Sequence, residues 1–320
     1  MKNIWLDGIM GVVVGDALGL PVQFLEREEL DANPVTDMIG YRTFNLPEGT
    51  WSDDSSLTLA TLQSILEHDK LDVQDIMENF ADWLLDGKFT PFGESFDQGQ
   101  TCVRSITKYI VTKDIESCGM TGEWANGNGA LMRIMPICLY AYEKEKQEIW
   151  TEEEAVEQVQ KVSSITHNHL RSQIACGIYY FLVKAILDEI GTIRERMQIG
   201  MNHATRFYRN DVSNMVQLAY YSRIFDLDEF TKIPREDINS SGYVVDSLEA
   251  SIWSLLNERT FKGTALRAIN LGKDTDTVGA ITCGLAGLYY GYQDIPVEWL
   301  NKIQRKEEVE KMCITGLDTQ

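Results

Sequence analysis

The chain has 320 residues, of which 44% are hydrophobic and 10% aromatic, and this composition excludes a disordered protein. Its 49 acidic and 29 basic residues give a formal net charge of −20, which argues against binding to a nucleic-acid backbone or an anionic membrane. The six cysteines show no CxxC or CxH spacing, a pattern that indicates reduced thiols in a cytoplasmic protein.

The first 20 residues, MKNIWLDGIMGVVVGDALGL, are apolar in the manner of a secretory signal peptide. Asp7 and Asp16 interrupt the region where an uncharged apolar core would have to continue, so we expect this stretch to belong to the fold. No later stretch reaches about 18 uncharged apolar residues, and we therefore predict no membrane span.

Glycines recur every four residues at Gly11, Gly15 and Gly19, and small residues have a similar spacing over residues 280–291. A glycine inside a helix costs about 1 kcal/mol relative to alanine, so the repetition predicts that two helix backbones approach each other closely. Gly19 stands just before Pro21, and we expect it to lie in a turn.

Apolar residues recur at helical spacing nearly everywhere that a period can be recognised, whereas strand-like alternation is rare and no βαβ rhythm occurs. In chain order, the predicted helices cover residues 73–84, ending at Gly87; 155–162, behind a Thr151–Glu154 capping box; 174–186; 245–255; and a last helix through Ile303, with Asp294 as its cap and Pro296 in its first turn. We predict an all-α protein, and since no linker or repeat divides the chain, a single domain over residues 1–320.

Two clusters of carboxylate and hydroxyl residues each stand immediately before an apolar helical segment. They are Ser52, Asp53 and Asp54 in WSDDSSLTLA, and Asp274, Thr275, Asp276 and Thr277 in GKDTDTVGA. Helix capping is the ordinary explanation for either cluster, because such side chains accept hydrogen bonds from first-turn N–H groups. Capping needs one side chain per helix, however, and does not explain four carboxylates in a chain that is already acidic.

Carboxylate and hydroxyl oxygens, with no His or Cys nearby, are the ligands that hard cations such as Mg²⁺, Mn²⁺ or Ca²⁺ prefer. If the two helix starts face each other, the four aspartates can hold two divalent ions roughly 3.5–4 Å apart. Asp53 and Asp54 can then point at different ions, and Asp276 can bridge them. Ser52 and Thr277 can supply further oxygens.

The segment DTDTV also fits the DxDxT/V pattern of haloacid-dehalogenase-type phosphatases, whose first aspartate is a nucleophile. That motif has to follow a buried hydrophobic strand. Here the preceding residues 264–273 have a helical period, with Leu266 and Ile269, and they reach a glycine. The phosphatase alternative therefore fits the chain less well than a metal site does.

Three loop segments have residues suited to ligand binding, although ordinary turn chemistry accounts for each one alone. Residues 99–101 stand at a loop-to-helix junction, where a helix N-terminus can receive a phosphate. Residues 126–129 form an Asn-Gly-Asn-Gly loop suited to presenting backbone N–H groups. His167 and His169 lie in a polar segment, where histidines are more often structural than catalytic.

Taken in order, five segments resemble the ADP-ribosylglycohydrolase family: GDALGLPV, WSDDSSLTLA, NGNGALMRIMPI, SITHNHLRSQIACGIYY and GKDTDTVGAITCGLAGLYYG. The resemblance covers most of the chain, and the pairing of SDD with DTDT at this separation is specific. It implies the family's all-α, multi-helix, single-domain fold, a centre of two Mg²⁺ or Mn²⁺ ions, and hydrolysis of the glycosidic bond between ADP-ribose and an acceptor. The expected partner is ADP-ribose or an ADP-ribosylated substrate, and we expect a monomer.

The resemblance also implies a role for individual positions. Metal binding would fall to Ser52, Asp53, Asp54, Asp274, Asp276 and Thr277. The diphosphate would be bound by Gly99, Gln100 and Thr101. The ADP-ribose would be bound by the loop of Asn126, Gly127, Asn128 and Gly129, and its ribose by His167. Asp53 or Asp276 would help to take the proton of the attacking water. The sequence does not distinguish arginine, serine, another side chain, a nucleobase or a small molecule as the acceptor.

Two positions depart from the family's pattern. Well-studied members carry a glutamate near the scissile bond where this chain has Gln23, which we place in the catalytic set. Gln23 allows three interpretations. A metal-activated water suffices for hydrolysis, Glu26 supplies the missing acid, or the chain binds ADP-ribose without hydrolysing it. We favour the first interpretation, because Glu26 lies in a charged run typical of a solvated face. Lys273 stands where glycine is commoner, and we expect it to face solvent.

Overall fold

The computed structural model describes residues 3–68, 70–188 and 190–315 and has no β-strand in those ranges. The helices are α1 Ile4–Gly19, α2 Arg27–Ala32, α3 Asp53–His68, α4 Val73–Asp86, α5 Gln100–Thr112, α6 Ile115–Cys118, α7 Met135–Lys146, α8 Glu152–Ser164, α9 Leu170–Asp188, α10 Ile193–Tyr208, α11 Val212–Leu218, α12 Leu227–Phe230, α13 Val244–Leu256, α14 Phe261–Ile269, α15 Thr275–Tyr290, α16 Val297–Leu300 and α17 Lys306–Thr315. The all-α prediction is confirmed.

Helices α1 and α15 form the centre of the fold. Nearly all of their residues are buried, as expected for helices that are apolar on every face. The two helices run antiparallel, and Gly11, Gly15 and Gly19 lie against successive carbonyl groups of α15, from Cys283 back to Thr275. A methyl group on any of these glycines would overlap a backbone carbonyl, so the close approach predicted from their spacing is present.

The expectation that Gly19 lies in a turn is wrong. Gly19 is the last residue of α1, with φ −83° and ψ −37°, and it packs against the Thr275 carbonyl. The chain leaves the helix through the 3₁₀ turn Leu20–Val22. Close packing, and not a turn conformation, therefore explains this glycine.

The predicted helices at 73–84, 155–162, 174–186 and 245–255 correspond to α4, α8, α9 and α13. Gly87 ends α4 in the left-handed conformation, with φ 67°, which a glycine adopts without steric cost. The Thr151–Glu154 capping box begins α8. Both termination and capping were predictable because they depend on neighbouring residues only.

The prediction for the last helix is wrong in its cap and its length. Pro296 is the N-cap of α16, since its carbonyl accepts the first helical hydrogen bonds from the N–H groups of Trp299 and Leu300. Asp294 lies one turn earlier, in a 3₁₀ helix, and α16 ends before Ile303. A further helix, α17, follows.

Two segments, Ile4–Val22 and Leu170–Asp188, have the length and hydropathy of a membrane-spanning helix. Within the protein, 89% and 78% of their most apolar windows are buried, so packing in the core accounts for that hydropathy. All six cysteines are buried and none forms a disulfide.

Three helix ends meet at one edge of the core. The last turns of α1 contact the first turn of α3 through Asp16, and Gly19 packs on the first turn of α15. Thr277 in α15 hydrogen-bonds Asp54 in α3, so the two helix starts face each other. Two of the three ends, those of α3 and α15, are helix N-termini, whose partial positive charge favours negative groups nearby.

Candidate active site

The carboxylates of Asp16, Asp54 and Asp276 form one buried cluster, in which an oxygen of each lies within 4.8 Å of the others. Thr277 Oγ1 donates to Asp54 Oδ2 at 3.3 Å, and Ser52 Oγ donates to the same oxygen at 3.0 Å. The two acidic sequence clusters therefore meet in space, although 223 positions separate Asp54 from Thr277.

Asp16 belongs to this cluster and was missed in the sequence. Its carboxylate accepts hydrogen bonds from the backbone N–H groups of Ser52 and Ser55 at 3.0 Å, and from the Ser55 hydroxyl. These bonds anchor the start of α3 to α1 and satisfy N–H groups that a helix leaves free in its first turn. The available signal was an acid inside an otherwise apolar, glycine-spaced helix.

Capping does not account for the other carboxylates. Asp274 precedes α15, but its side chain caps no N–H group there. The first turn of α3 is already held by Asp16 and by Ser52 Oγ, which accepts from the Asp54 N–H at 3.2 Å. Both carboxylate oxygens of Asp276 and Oδ1 of Asp54 are buried with no hydrogen-bond partner among the described residues. A buried carboxylate in this state calls for a positive charge.

The electrostatics of the cluster agree with that requirement. Burial raises the pKa of Asp53, Asp54 and Asp276 well above the usual range, and neighbouring carboxylates raise it further. Burial raises the pKa of Asp16 to about 6, against the opposing effect of its hydrogen bonds from Ser55 and Ser52. A bound divalent cation would favour the ionised form of every one of these groups.

The donor set fits a hard divalent cation. The candidate ligands are all oxygens, from the carboxylates of Asp53, Asp54, Asp274 and Asp276 and the hydroxyls of Ser52 and Thr277. Such oxygen-only sets suit Mg²⁺, Mn²⁺ or Ca²⁺ rather than a metal that prefers sulfur or imidazole. The Asn128 amide donates to Asp274 Oδ2 at 2.6 Å and to Ser247 Oγ at 2.9 Å, which orients the Asp274 carboxylate.

A cavity of about 320 Å³ opens beside the cluster. Most of the predicted site residues line it: Gln23, Asp53, Gly99, Gln100, Thr101, Gly127, Asn128, Gly129, His167, Asp274 and Thr277. Phe24, Asp97, Gln98, Cys102 and Met132 complete the lining. A larger groove of about 750 Å³, bordered by α3 and α17, contains none of the predicted site residues.

Four predicted residues lie outside the lining. Ser52, Asp54 and Asp276 are buried behind it, in the acidic cluster. Asn126 instead holds its own loop, since its Nδ2 donates to the Glu123 carbonyl at 3.0 Å. Any contact of Asn126 with a ligand in this cavity would therefore need a different side-chain position.

Gln23 and Asp97 face the cavity together. Gln23 Oε1 is buried without a hydrogen-bond partner among the described residues. Burial raises the pKa of both Asp97 and Asp274, and the Gln23 side chain is one of the hydrogen-bonding groups that oppose this rise. Asp97 was missed in the sequence, although it stands two residues before the predicted phosphate-binding position Gly99.

The structure does not support Glu26 as a substitute acid. Gln23 has an extended backbone, with φ −54° and ψ 140°, so no helical path brings Glu26 round to the same face. Glu26 is exposed and forms a capping box with Glu29 at the start of α2. Lys273 is exposed, as expected.

Phe24, Phe44 and Phe96 form an aromatic rim, of which Phe24 lines the cavity. Phe24 has a left-handed backbone, with φ 69°, and its side chain is 63% exposed. Its N–H donates to the Lys273 carbonyl at 2.7 Å, which ties the rim to the segment before Asp274. The Phe44 ring lies 6.3 Å from that of Phe24 and 5.9 Å from that of Phe96. An exposed ring at a cavity mouth can stack on a planar cation.

The chain is similar to known proteins along nearly its whole length. Residues 5–318 match the family model described as ADP-ribosylglycohydrolase. The chain is 29% identical to the ADP-ribosylarginine hydrolase Tri1 of Serratia proteamaculans, over 95% of this chain and 76% of that protein. It is 31% identical to the ADP-ribosyl-dinitrogen reductase glycohydrolase of Rhodospirillum rubrum, over 98% and 97% of the two chains. A solved structure titled ADP-ribosylglycohydrolase-related protein complex has a TM-score of 0.78 and 27% identity, covering 99% of this chain and 97% of that one.

Proposed function

The chain belongs to the ADP-ribosylglycohydrolase family, and from that premise we propose that it uses divalent cations to hydrolyse the bond between C1″ of ADP-ribose and an arginine side chain. Membership makes it a hydrolase of glycosidic bonds. The observation that carries the metal-dependent proposal is the set of buried oxygens on Asp54 and Asp276, beside the 320 Å³ cavity, that have no hydrogen-bond partner in the part of the chain that the structure describes. A purely structural protein would have no use for this costly arrangement.

Two Mg²⁺ or Mn²⁺ ions would be held by Asp53, Asp54, Asp274 and Asp276, with oxygens of Ser52 and Thr277. When bound, they would lower the pKa of a water molecule and polarise oxygens of the ribose. Asp16 supports this set by fixing the start of α3, and Asn128 supports it by orienting Asp274.

The residues that line the cavity have different roles in proton transfer. Asp53 and Asp97 present carboxylates that can take a proton from the attacking water. Asp276 lies behind the lining, so its two oxygens suit ligation better than proton transfer. Gln23 cannot act as a base, but its Oε1, which has no partner among the residues described, can accept a hydrogen bond from the substrate or the water.

In the proposed reaction the water oxygen adds to C1″ as the bond from C1″ to the guanidinium nitrogen breaks. One proton of the water is taken by a carboxylate of the site and is then delivered to the leaving nitrogen. The products are free ADP-ribose and an unmodified arginine side chain.

The cavity offers donors for the diphosphate and ribose of the ligand. First-turn N–H groups of α5, which begins at Gln100 behind Gly99, have no acceptor within their own helix and suit a phosphate. The loop at residues 127–129 and His167 border the same cavity. We place the diphosphate at the start of α5 and the ribose between His167 and the acidic cluster.

Arginine is the acceptor favoured by two observations. The relative from Serratia proteamaculans is named an ADP-ribosylarginine hydrolase. The Phe24 ring, exposed at the cavity mouth, offers a surface on which a planar guanidinium can stack. A serine acceptor would gain nothing from that ring.

The test is release of free ADP-ribose from peptides ADP-ribosylated on arginine or on serine, with Mg²⁺, with Mn²⁺ and with a chelator. We expect cleavage of the arginine-linked peptide, loss of cleavage with chelator, and slower cleavage by Phe24→Ala. Calorimetry with ADP-ribose, AMP and ribose 5-phosphate should rank ADP-ribose as the tightest ligand. Tight binding of ADP-ribose without cleavage of any peptide would make this chain a binding protein instead.

A further inference from the structure

Behind His167 lies a buried arginine that the proposed chemistry does not use. The Arg133 side chain is fully buried, and its guanidinium carbon lies 4.6 Å from the centroid of the Phe80 ring. Among the described residues, its Nε and Nη1 groups have no hydrogen-bond partner and no carboxylate forms an ion pair with it. A buried cation of this kind needs a reason, because its desolvation is costly.

The polar contacts that Arg133 does make lead towards the cavity. Its Nη2 donates to Thr166 Oγ1 at 2.8 Å and to the Val162 carbonyl at 3.2 Å. Thr166 Oγ1 lies 2.9 Å from His167 Nδ1. His167 lines the cavity, with its other ring nitrogen, Nε2, beside the loop at residues 127–129. Three side chains thus form a continuous path from a buried cation to the ligand cavity.

Donor chemistry fixes the first hydrogen bond of this path and favours one direction for the second. A guanidinium has donors only, so Thr166 Oγ1 must accept from Arg133 and keeps its own hydrogen for another acceptor. The best acceptor in contact is His167 Nδ1. The Cys102 thiol also lies against Thr166, but sulfur is a weak acceptor in comparison with an imidazole nitrogen. When Nδ1 accepts this hydrogen bond, the single proton of the neutral ring sits on Nε2.

We propose that Arg133 and Thr166 are positioning residues that hold His167 in its Nε2–H tautomer, so that His167 serves the cavity as a hydrogen-bond donor to a ligand oxygen and never as a base. The identity of that ligand rests on the proposed function. The assignment of the tautomer does not depend on the proposed function.

The same arrangement keeps the ring neutral. Burial, reinforced by the positive charge of Arg133, lowers the pKa of His167 to about 3. The cation also polarises the Thr166 hydroxyl, and a chain of hydrogen bonds strengthens its last donor. Nε2–H is therefore a stronger donor than an isolated neutral histidine would offer, while the ring carries no charge that would repel a divalent cation nearby.

The direct test is a proton–nitrogen correlation spectrum of the histidine rings in the ligand-free protein, with His167 assigned by its loss in His167→Gln. The chain has four histidines, so the other three serve as internal references. We expect a single neutral tautomer for His167, with the proton on Nε2, that does not titrate between about pH 5 and 8. A proton on Nδ1, or a mixture of tautomers, in the wild-type protein overturns the proposal.

Thr166→Val and Thr166→Ser form a matched pair of variants. The first removes the hydroxyl at nearly constant volume, and the second keeps it. We expect mixed tautomers and roughly 3- to 10-fold weaker ADP-ribose binding in Thr166→Val, and wild-type behaviour in Thr166→Ser. Should Thr166→Val not fold, the wild-type spectrum alone decides.

The two hypotheses fail in different ways. If wild-type protein does not bind ADP-ribose, the proposed function fails, and the tautomer assignment is still judged by the ligand-free spectrum. If folded Thr166→Val keeps the wild-type tautomer, or binds ADP-ribose as tightly as wild type does, the positioning role is overturned while the proposed function stands.

Discussion

At the scale of single residues, Gln23 and Asp97 decide how the proposed reaction handles its proton. Both line the cavity, but only Asp97 carries a carboxylate. Burial raises the pKa of Asp97 above its usual value, which moves it towards the range where a carboxylate is an effective base. Asp97 is thus a third candidate for the group that compensates for the missing glutamate, beside metal-activated water alone and Glu26.

We expect Asp97→Asn to lower turnover of the arginine-linked substrate by about 10²–10⁴-fold, because that is the usual range for general-base assistance. Calorimetry should show no loss of ADP-ribose affinity, since the change preserves shape and removes a negative charge that would repel the diphosphate. Wild-type turnover in Asp97→Asn would show that Asp97 has no part in proton transfer.

The series Gln23→Glu, Gln23→Ala and Glu26→Gln tests the neighbouring position. Gln23→Glu should raise turnover, Gln23→Ala should lower it modestly, and Glu26→Gln should leave it unchanged, because Glu26 is an exposed cap of α2. Steady-state rates on one substrate measure all three. Loss of turnover in Glu26→Gln, with Gln23→Ala still active, would return the catalytic acid to Glu26.

Residues within short motifs could be predicted from the sequence, whereas residues that act across the fold could not. Asp54 and Asp276 stand out because carboxylates and hydroxyls crowd a few adjacent positions. Asp16 and Arg133 gain their meaning only from partners far along the chain, Ser52 in one case and Thr166 in the other. No local pattern encodes such a pairing.

At the scale of helices, the packing of α1 on α15 positions the acidic cluster. The backbones approach so closely that a methyl group on Gly15 would overlap the carbonyl of Gly279. Asp16 follows Gly15 directly, and Asp276 lies in the first turn of α15. The spacing of the glycines therefore sets the distance between the two helices that carry these carboxylates.

Gly15→Ala should destabilise the protein by about 1–3 kcal/mol, because the new methyl group meets backbone that cannot rotate away. Gly8→Ala, on the same helix, is the matched control: its Cβ would meet the ends of the Leu288 and Met135 side chains, 3.1 and 3.2 Å away, which can shift. Urea unfolding midpoints measure the difference. Equal stability of the two variants would contradict the packing account.

Helices with a clear apolar stripe were predictable from the sequence, and the wrong prediction of the N-cap of the last helix has a specific cause. The capping box of α8 and the Gly87 stop of α4 lie within a few residues of the helices they bound. At α16 the sequence predicts Asp294 as the N-cap, but the N-cap is Pro296, and Asp294 lies in a preceding 3₁₀ helix. Competing local hydrogen bonds of similar strength cannot be ranked from sequence alone.

At the scale of the whole molecule, a chain with a net charge of −20 buries several of its own carboxylates close together. Asp53, Asp54 and Asp276 have a higher pKa in the folded protein than in the unfolded chain, and for Asp16 the rise is from 3.8 to about 6. The folded state then binds more protons than the unfolded state. The contribution of these four carboxyl groups to the free energy of unfolding therefore falls as pH rises above 3.8 and through their folded-state values.

We expect cation-free protein to lose thermal stability between about pH 4 and 7, and Mg²⁺ or Mn²⁺ to raise the melting temperature more at about pH 7.5 than at pH 5, because the ligands must be ionised to bind. Asp276→Asn should show a smaller rise. Thermal unfolding followed by circular dichroism, with and without chelator, provides the measurement. A cation effect that is identical at both pH values and in both proteins would rule out this site as its origin.

The central claim, that cations held by the acidic cluster are needed to cleave the ADP-ribosyl bond, is tested most directly by one measurement. Initial rates of ADP-ribose release from an arginine-linked substrate are recorded while Mg²⁺ or Mn²⁺ is titrated into metal-stripped protein. We predict a rate near zero without cation, saturation with cation, a loss of about 100-fold or more in Asp276→Asn, and no change in the exposed control Asp294→Asn. A full rate in chelator, or a wild-type rate in Asp276→Asn, would contradict the account.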